Sequence, residues 1–296
     1  MIAGGSSSLH GRRILITGAA RGIGAALALQ LHRRGARVGL AGLEPEMLEV
    51  VARSLGGAPW RACNVADRSQ VDLVVNAVAA ELGGLDVVVA NAGIAAQLPL
   101  VGGDPAIFES IMDVNVLGTY YTLRAAGPHI AHPRGYAVAV ASLAAAVHLP
   151  LMGAYCASKA AVEALGNSLR IELAASGARV GVAYFGEIET DMTERGFGTK
   201  AAALVPRFGL FTKPAPLEKA VAALERGIAH RSRIIAAPGF VAPLLPVRAI
   251  VQRVIDRRMQ RDLERVLAVA REEAAPLTTA QPDRARTAER RAADDQ

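Results

Sequence analysis

Arg13-Ile14-Leu15-Ile16-Thr17-Gly18-Ala19-Ala20-Arg21-Gly22-Ile23-Gly24 is the stretch whose reading decides the fold. An apolar strand, Arg13 to Thr17, runs straight into a loop carrying Gly18, Gly22 and Gly24. A helical pattern, Ile23 to Arg34, follows and is closed by Gly35. A strand apolar on both faces needs cover on both faces. Glycines let the backbone approach a ligand closely, and a helix N-terminus offers free N–H groups and a positive dipole end. Strand, glycine loop and helix in this order form a seat for a pyrophosphate.

The same alternation continues outward. Predicted strands cover Arg37–Ala41, Trp60–Cys63, Val87–Ala90, Ala137–Ala141, Arg179–Tyr184 and Arg233–Ala237. Predicted helices cover Met47–Leu55, Gln70–Leu82, Ile107–Ala126, Tyr155–Ala175 and Leu217–Ala229. Short apolar strands separated by helices imply an α/β fold. The expected form is a doubly wound, Rossmann-like parallel sheet of about seven strands with helices on both faces. Residues 12–240 form this domain, preceded by a flexible 1–11. The irregular stretch Met192–Pro216 is long enough to be a functional loop. Val247 to Ala270 places Val251, Ile255, Met259, Leu263 and Val266 at helical spacing, with arginines on the other face. Residues 241–275 therefore read as an amphipathic helical extension, packed on the body or on a second subunit, or lying on an anionic membrane. Residues 276–296 are polar and without periodicity, which predicts a disordered tail.

Composition excludes several classes. At 52% hydrophobic and 20% charged residues, the chain can bury a large core. Cys63 and Cys156 are its two cysteines, too few for a disulfide framework. Met1–His10 lacks a basic region followed by an apolar run, so no signal peptide is expected. Ile234–Val247 is broken by prolines and too short to span a bilayer. A cytoplasmic location is expected. Net charge is +6, but aromatics are 4% and no basic run carries them interleaved, so nucleic acid is not an expected partner. No metal-ligand cluster is expected.

Tyr155 and Lys159 stand four apart on a predicted helix and share a face. An ammonium beside a phenol favours the phenolate and makes tyrosine usable as a proton acceptor near neutral pH. Ser142 ends a predicted strand, at the edge where open α/β sheets bind ligands. Its hydroxyl can orient a substrate oxygen.

The loop spacing Thr-Gly-x-x-x-Gly-x-Gly resembles the short-chain dehydrogenase/reductase family. Asn91-Ala92-Gly93 after the fourth strand, Asn115 within Asp113-Val114-Asn115-Val116, Ser142, and Tyr155-Cys156-Ala157-Ser158-Lys159 fit the same family, over roughly residues 12 to 240. The resemblance implies an NAD(P)-dependent oxidoreductase interconverting a secondary alcohol and a ketone or aldehyde. Asn115, Ser142, Tyr155 and Lys159 would be its catalytic residues, with Tyr155 the general acid/base and Asn115 holding a water that links Lys159 to solvent. Implied cofactor contacts are Gly18, Arg21, Gly22, Ile23 and Gly24 in the loop, and Gly42, Leu43, Asn64 and Val65 toward the adenosine. Further contacts are Asn91, Ala92, Gly93 and Val114 beside the fourth strand, and Tyr155, Lys159, Ile188 and Thr190 around the nicotinamide. Relatives form dimers or tetramers, and helices Ile107–Ala126 and Tyr155–Ala175 would pair across subunits.

Three positions depart from the family. Gly42-Leu43-Glu44 stands where NAD-preferring relatives carry an aspartate and NADP-preferring relatives an arginine. Arg21 can meet a 2′-phosphate, which tips the expectation toward NADP, while Glu44 can approach ribose hydroxyls. Asn64 replaces an aspartate near adenine. Phe185-Gly186 replaces a Pro-Gly and puts bulk near the nicotinamide. The expected pocket walls, Leu143–Met152, Phe185–Glu189 and Met192–Phe211, are rich in apolar side chains and predict a small apolar alcohol or ketone as substrate. Two other readings remain: a catalytically silent dinucleotide-binding sensor, and a lipid-surface protein using 241–275.

Overall fold

The computed structural model describes residues 9–190, 192, 199–205, 213–260, 263–274 and 276–282. Its centre is one seven-stranded parallel sheet in the order β3-β2-β1-β4-β5-β6-β7. The strands are β1 (Arg13–Thr17), β2 (Arg37–Gly42), β3 (Trp60–Ala62), β4 (Val87–Ala90), β5 (Tyr136–Val140), β6 (Arg179–Phe185) and β7 (Ile234–Ala237). Every expected strand is present, with ends shifted by one residue at most. All four residues of β4 and all five of β5 are buried, which is why their sequences are continuously apolar.

Helices cover both faces. On one side lie α1 (Gly22–Arg33), α2 (Pro45–Ser54) and α8 (Leu217–His230). On the other lie α3 (Arg68–Leu82), α4 (Pro105–Met112), α5 (Gly118–Ile130) and α6 (Gly153–Glu172). Each face has its own apolar core. Leu27, Leu31, Leu48 and Leu224 belong to the first and Val75, Val78, Ile111 and Val162 to the second.

The helix expected over Ile107–Ala126 begins earlier, behind the Asp104 cap, whose carboxylate accepts from the Ala106 N–H at 2.9 Å. It is then interrupted by a π turn, Asp113–Leu117, around Asn115. Periodicity cannot reveal one inserted residue of twist, and π turns of this kind concentrate at functional sites.

The connection after β6 contains a short helix, α7 (Lys200–Ala203). Beyond β7 come α9 (Val241–Leu244), α10 (Arg248–Met259) and α11 (Leu263–Glu272). The extension expected over 241–275 is thus helical, with two main helices. Val251, Ile255 and Met259 turn one face of α10 onto Ala146 and Val147. Val266 and Ala270 of α11 pack on Leu151 and Ala201. Much of the apolar face read as a possible membrane contact thus meets the body, while Val247, Ile250 and Val254 stay exposed. Among the described residues no helix is long and apolar enough to cross a membrane.

Both ends differ from expectation. The ordered body begins before residue 12: Leu9 is buried and the Gly11 N–H donates to the Gly35 carbonyl at 2.8 Å. Of the tail expected to lack structure from 276 onward, residues 276–282 instead pack against the loop that follows β4. Thr278 there is 2% exposed. Residues 283–296 and 1–8 lie outside the described residues.

Candidate active site

The strand order reverses between β1 and β4, so the chains leaving them diverge and open a crevice at the C-terminal edge of the sheet. Thr17 and Asn91 hold its floor. The Thr17 hydroxyl accepts from the N–H groups of Asn91 and Ala92 at 3.1 and 3.3 Å, and the Asn91 amide donates to the carbonyls of Thr17 and Gly18 at 3.0 and 3.2 Å. Asn91 is an expected cofactor contact, whereas nothing in the motif marks Thr17 as its partner. Here the pair also locks two strands in register.

Gly18 and Gly22 adopt φ of +64° and +55°, which the loop needs to turn over the helix end. A Cβ at Gly22 would meet only Thr190, at 3.9 Å, so the loop's outer side is open. Gly24 is different. A Cβ there would stand 2.2 Å from the Gly18 carbonyl oxygen. Gly24 therefore lets helix and loop pack, and it does not line the crevice as expected. The other expected cofactor contacts all do. Gly18, Arg21, Gly22 and Ile23 line one continuous cavity of about 620 Å³ together with Gly42, Leu43, Asn64 and Val65. The same cavity touches Asn91, Ala92, Gly93 and Val114 and reaches Tyr155, Lys159, Ile188 and Thr190 at its far end. A long cleft of that volume, with glycine backbone at one bank and a helix N-terminus behind it, fits an extended dinucleotide.

At the inner end, Ser142 follows β5, Tyr155 and Lys159 sit in the first two turns of α6, and Phe185 ends β6. The Ser142 hydroxyl accepts from the Ala144 N–H at 3.1 Å and reaches the Phe185 carbonyl at 3.2 Å. It also hydrogen-bonds the Tyr155 phenol. One hydroxyl hydrogen thus has two acceptors to choose between. Tyr155 is half-buried and Lys159 is 4% exposed. The Lys159 Nζ donates to the Val140 carbonyl at 2.9 Å and lies 5.6 Å from the centre of the Tyr155 ring. Gly93 leaves room for it, because a Cβ there would stand 3.3 Å from Nζ.

Burial pushes the Tyr155 phenol up to about 12, with the Ser142 hydrogen bond pulling the other way. Burial also brings the Lys159 ammonium down to about 8. Each group resists its charged form for want of solvent. Both shifts leave a neutral phenol beside a predominantly protonated lysine at pH 7.

Asn115 lies beside Lys159, and its side chain is bonded to other groups. It is fully buried, and its Oδ1 accepts from the Ile94 N–H at 2.8 Å. Its amide donates to the Ile94 carbonyl and to the Ser158 hydroxyl, each at 2.9 Å. Ser158 in turn donates to the Tyr155 carbonyl at 2.7 Å. The side chain is a clamp between the end of β4 and the start of α6, and no hydrogen bond joins it to Lys159. The Ser158 link was missed because a serine inside Tyr-x-x-x-Lys carries no signal of its own.

The outer wall comes from the C-terminal extension. Ile255 of α10 faces the cavity beside Val147 and Val205. Gln252 fixes the intervening loop by accepting from the His148 N–H at 2.8 Å and donating to its carbonyl at 3.1 Å. Amphipathicity showed that α10 packs somewhere, but not that it packs here.

The family profile described as short chain dehydrogenase matches residues 12–200. The chain belongs to this family. It is an oxidoreductase of this family, whose members generally use NAD or NADP and act on small substrates. A D-threitol dehydrogenase of Mycolicibacterium smegmatis is 38% identical over 177 residues, 58% of this chain and 68% of that protein. Nodulation protein G of Rhizobium meliloti is 36% identical over 190 residues, 63% and 77% of the two chains. The crystal structure of a short-chain type dehydrogenase/reductase from Mycobacterium marinum superposes with a TM-score of 0.70 at 30% identity, covering 79% of this chain and 96% of that one. The profile match ends at residue 200, before the helices that build the outer wall of this member's pocket.

Proposed function

We propose that this short-chain dehydrogenase interconverts a small apolar secondary alcohol and its ketone or aldehyde, with Tyr155 moving the hydroxyl proton. The observation that carries this reading is the meeting of Ser142, Tyr155 and Lys159 in the same cleft of about 620 Å³ that the glycine loop lines. NAD(P) bound there supplies or accepts the hydride. The protein's own work is local. Ser142 fixes the substrate oxygen against the Tyr155 hydroxyl. Lys159 places positive charge where the phenol becomes phenolate, and burial excludes water. A group buried at pKa about 12 becomes a useful base only through such neighbouring charge.

The reading of cofactor preference moves toward NAD. Arg21, on which the lean to NADP rested, is paired with Glu44 at 3.1 Å. A 2′-phosphate would compete with that carboxylate for the guanidinium and meet like charge beside it. A ribose diol would instead find a hydrogen-bond acceptor. Titration with NADH and with NADPH is therefore expected to give the tighter complex with NADH, and Glu44→Gln to narrow the gap about tenfold in favour of NADPH. Failure to bind either dinucleotide overturns the whole proposal. An unchanged ratio in the variant removes Glu44 from the discrimination.

The substrate class rests on the wall. Val147, Leu149, Met152, Phe185, Val205 and Ile255 face the inner end of the cavity. Burying apolar substrate surface against them contributes about 25 cal/mol per Å². Ile255→Glu is expected to raise KM for an apolar alcohol about tenfold or more while leaving dinucleotide affinity unchanged. Equal KM values for variant and parent would exclude α10 from the substrate wall. The exposed Tyr120 of α5 and Ile171 of α6 support the expectation that these helices pair across subunits of a homo-oligomer.

A further inference from the structure

Residues 276–282 cross the cleft from one bank to the other. On the β4 bank, Thr278 holds Ala95 at two points. Its N–H donates to the Ala95 carbonyl and its hydroxyl accepts from the Ala95 N–H, each at 3.0 Å. On the β1 bank, the Arg21 guanidinium donates to the Thr279 hydroxyl. Ala95 follows Asn91-Ala92-Gly93 and Arg21 lies in the glycine loop, so the two anchors flank the crevice where the strand order reverses. Leu277 packs half-buried on the core beside β4.

The segment faces the cavity rather than filling it. Thr278, Thr279 and Gln281 line the same 620 Å³ space as the glycine loop and Tyr155. A plug would have divided that space. Among the described residues, the segment's anchors are the Ala95 and Arg21 contacts and the packing of Leu277. A short span fixed at two points can open without disturbing the sheet.

We propose that 276–282 is a strap that closes over the bound dinucleotide and is itself part of the binding site. This rests on the cofactor reading above. The hydroxyl of Thr279 and the amide of Gln281 are the polar groups it offers to the dinucleotide, beside the Arg21–Glu44 pair. An extended dinucleotide lying along the cleft passes beneath the strap, so entry and exit both require the Ala95 anchor to release. The strap is tied to the substrate side as well. Glu273, five residues before Thr278, accepts from the N–H groups of Lys200 and Ala201 at 2.8 and 3.1 Å and so holds the start of α7.

The test is stopped-flow binding and displacement of NADH and NADPH on the full-length chain, with Thr278→Pro and Thr279→Val beside the parent. Thr278→Pro removes both bonds to Ala95. Thr279→Val removes only the hydroxyl facing Arg21, and carries the test should the proline variant not fold. Thr278→Pro is expected to speed dissociation at least tenfold and association by less, so that affinity falls. Thr279→Val is expected to speed dissociation about threefold. Rates equal to the parent's in every folded variant overturn the strap and leave the cofactor reading standing. Faster association with rising affinity also overturns it, since the segment would then be competing with the dinucleotide. A parent chain that binds neither dinucleotide overturns the strap and the cofactor reading together.

Discussion

Tyr155→Phe is expected to lower kcat about 10³-fold while dinucleotide affinity stays within about threefold of the parent, the usual range for removing a general acid/base. The ring stays, so the wall of the cleft and the Lys159 contact at 5.6 Å are kept. Only the hydroxyl beside Ser142 is lost. Nicotinamide absorbance reports turnover, and fluorescence titration reports binding. Activity equal to the parent's would take Tyr155 out of the proton path. A parent protein that binds dinucleotide but turns over no alcohol or ketone would instead favour the silent sensor, a role for which the assembled Ser142, Tyr155 and Lys159 have no evident use.

Lys159→Met is expected to abolish turnover to a similar degree and, at pH 7, to make the protein more stable. Burial lowers the Lys159 pKa from its ordinary 10.5 to about 8 in the folded chain. A lowered lysine pKa means that the folded state binds its proton less well than the unfolded state. The resulting cost to stability is full below pH 8 and fades as pH rises from about 8 to about 10.5. At about 1.4 kcal/mol per unit, the cost is about 3 kcal/mol. Methionine avoids it but leaves the Val140 carbonyl without its Nζ donor, which returns about 2 kcal/mol. The net gain of about 1 kcal/mol corresponds to a Tm rise of about 3 °C at pH 7. The rise disappears or reverses near pH 10. A Tm that falls at pH 7, or a difference independent of pH, would show that the ammonium is not held against a desolvation cost. The same group limits reduction: its rate is expected to fall above pH 8 as Lys159 loses its proton, and to hold to higher pH in Lys159→Arg.

The two variants also separate two kinds of legibility. Tyr155 and Lys159 were readable because α6 is an ordinary helix, and four residues on a helix fix a shared face. The glycine loop was readable because β1 and α1 are adjacent in the chain, and Gly18, Gly22 and Gly24 stand between them. Even there, local spacing treated the three glycines alike. Only the approach of the Gly18 carbonyl to within 2.2 Å of a Cβ at Gly24 assigns that glycine to packing. Asn115 shows the opposite limit. Its motif was recognised, but the partners that use up its amide, Ile94 and Ser158, come from two other parts of the chain.

By itself, the sequence determined the doubly wound sheet, the order of its elements and the glycine loop between β1 and α1. These depend on periodicity and on neighbours a few positions apart, which a linear chain displays directly. Tertiary structure alone decided what surrounds them. It paired Arg21 with Glu44, turned Ile255 into a wall of the pocket, and brought Thr278 from the far end of the chain to Ala95. The last of these contacts spans 183 positions. No local propensity encodes such a contact. It exists because burying the inner faces of α10 and α11 leaves the segment that follows them beside the crevice above β1 and β4.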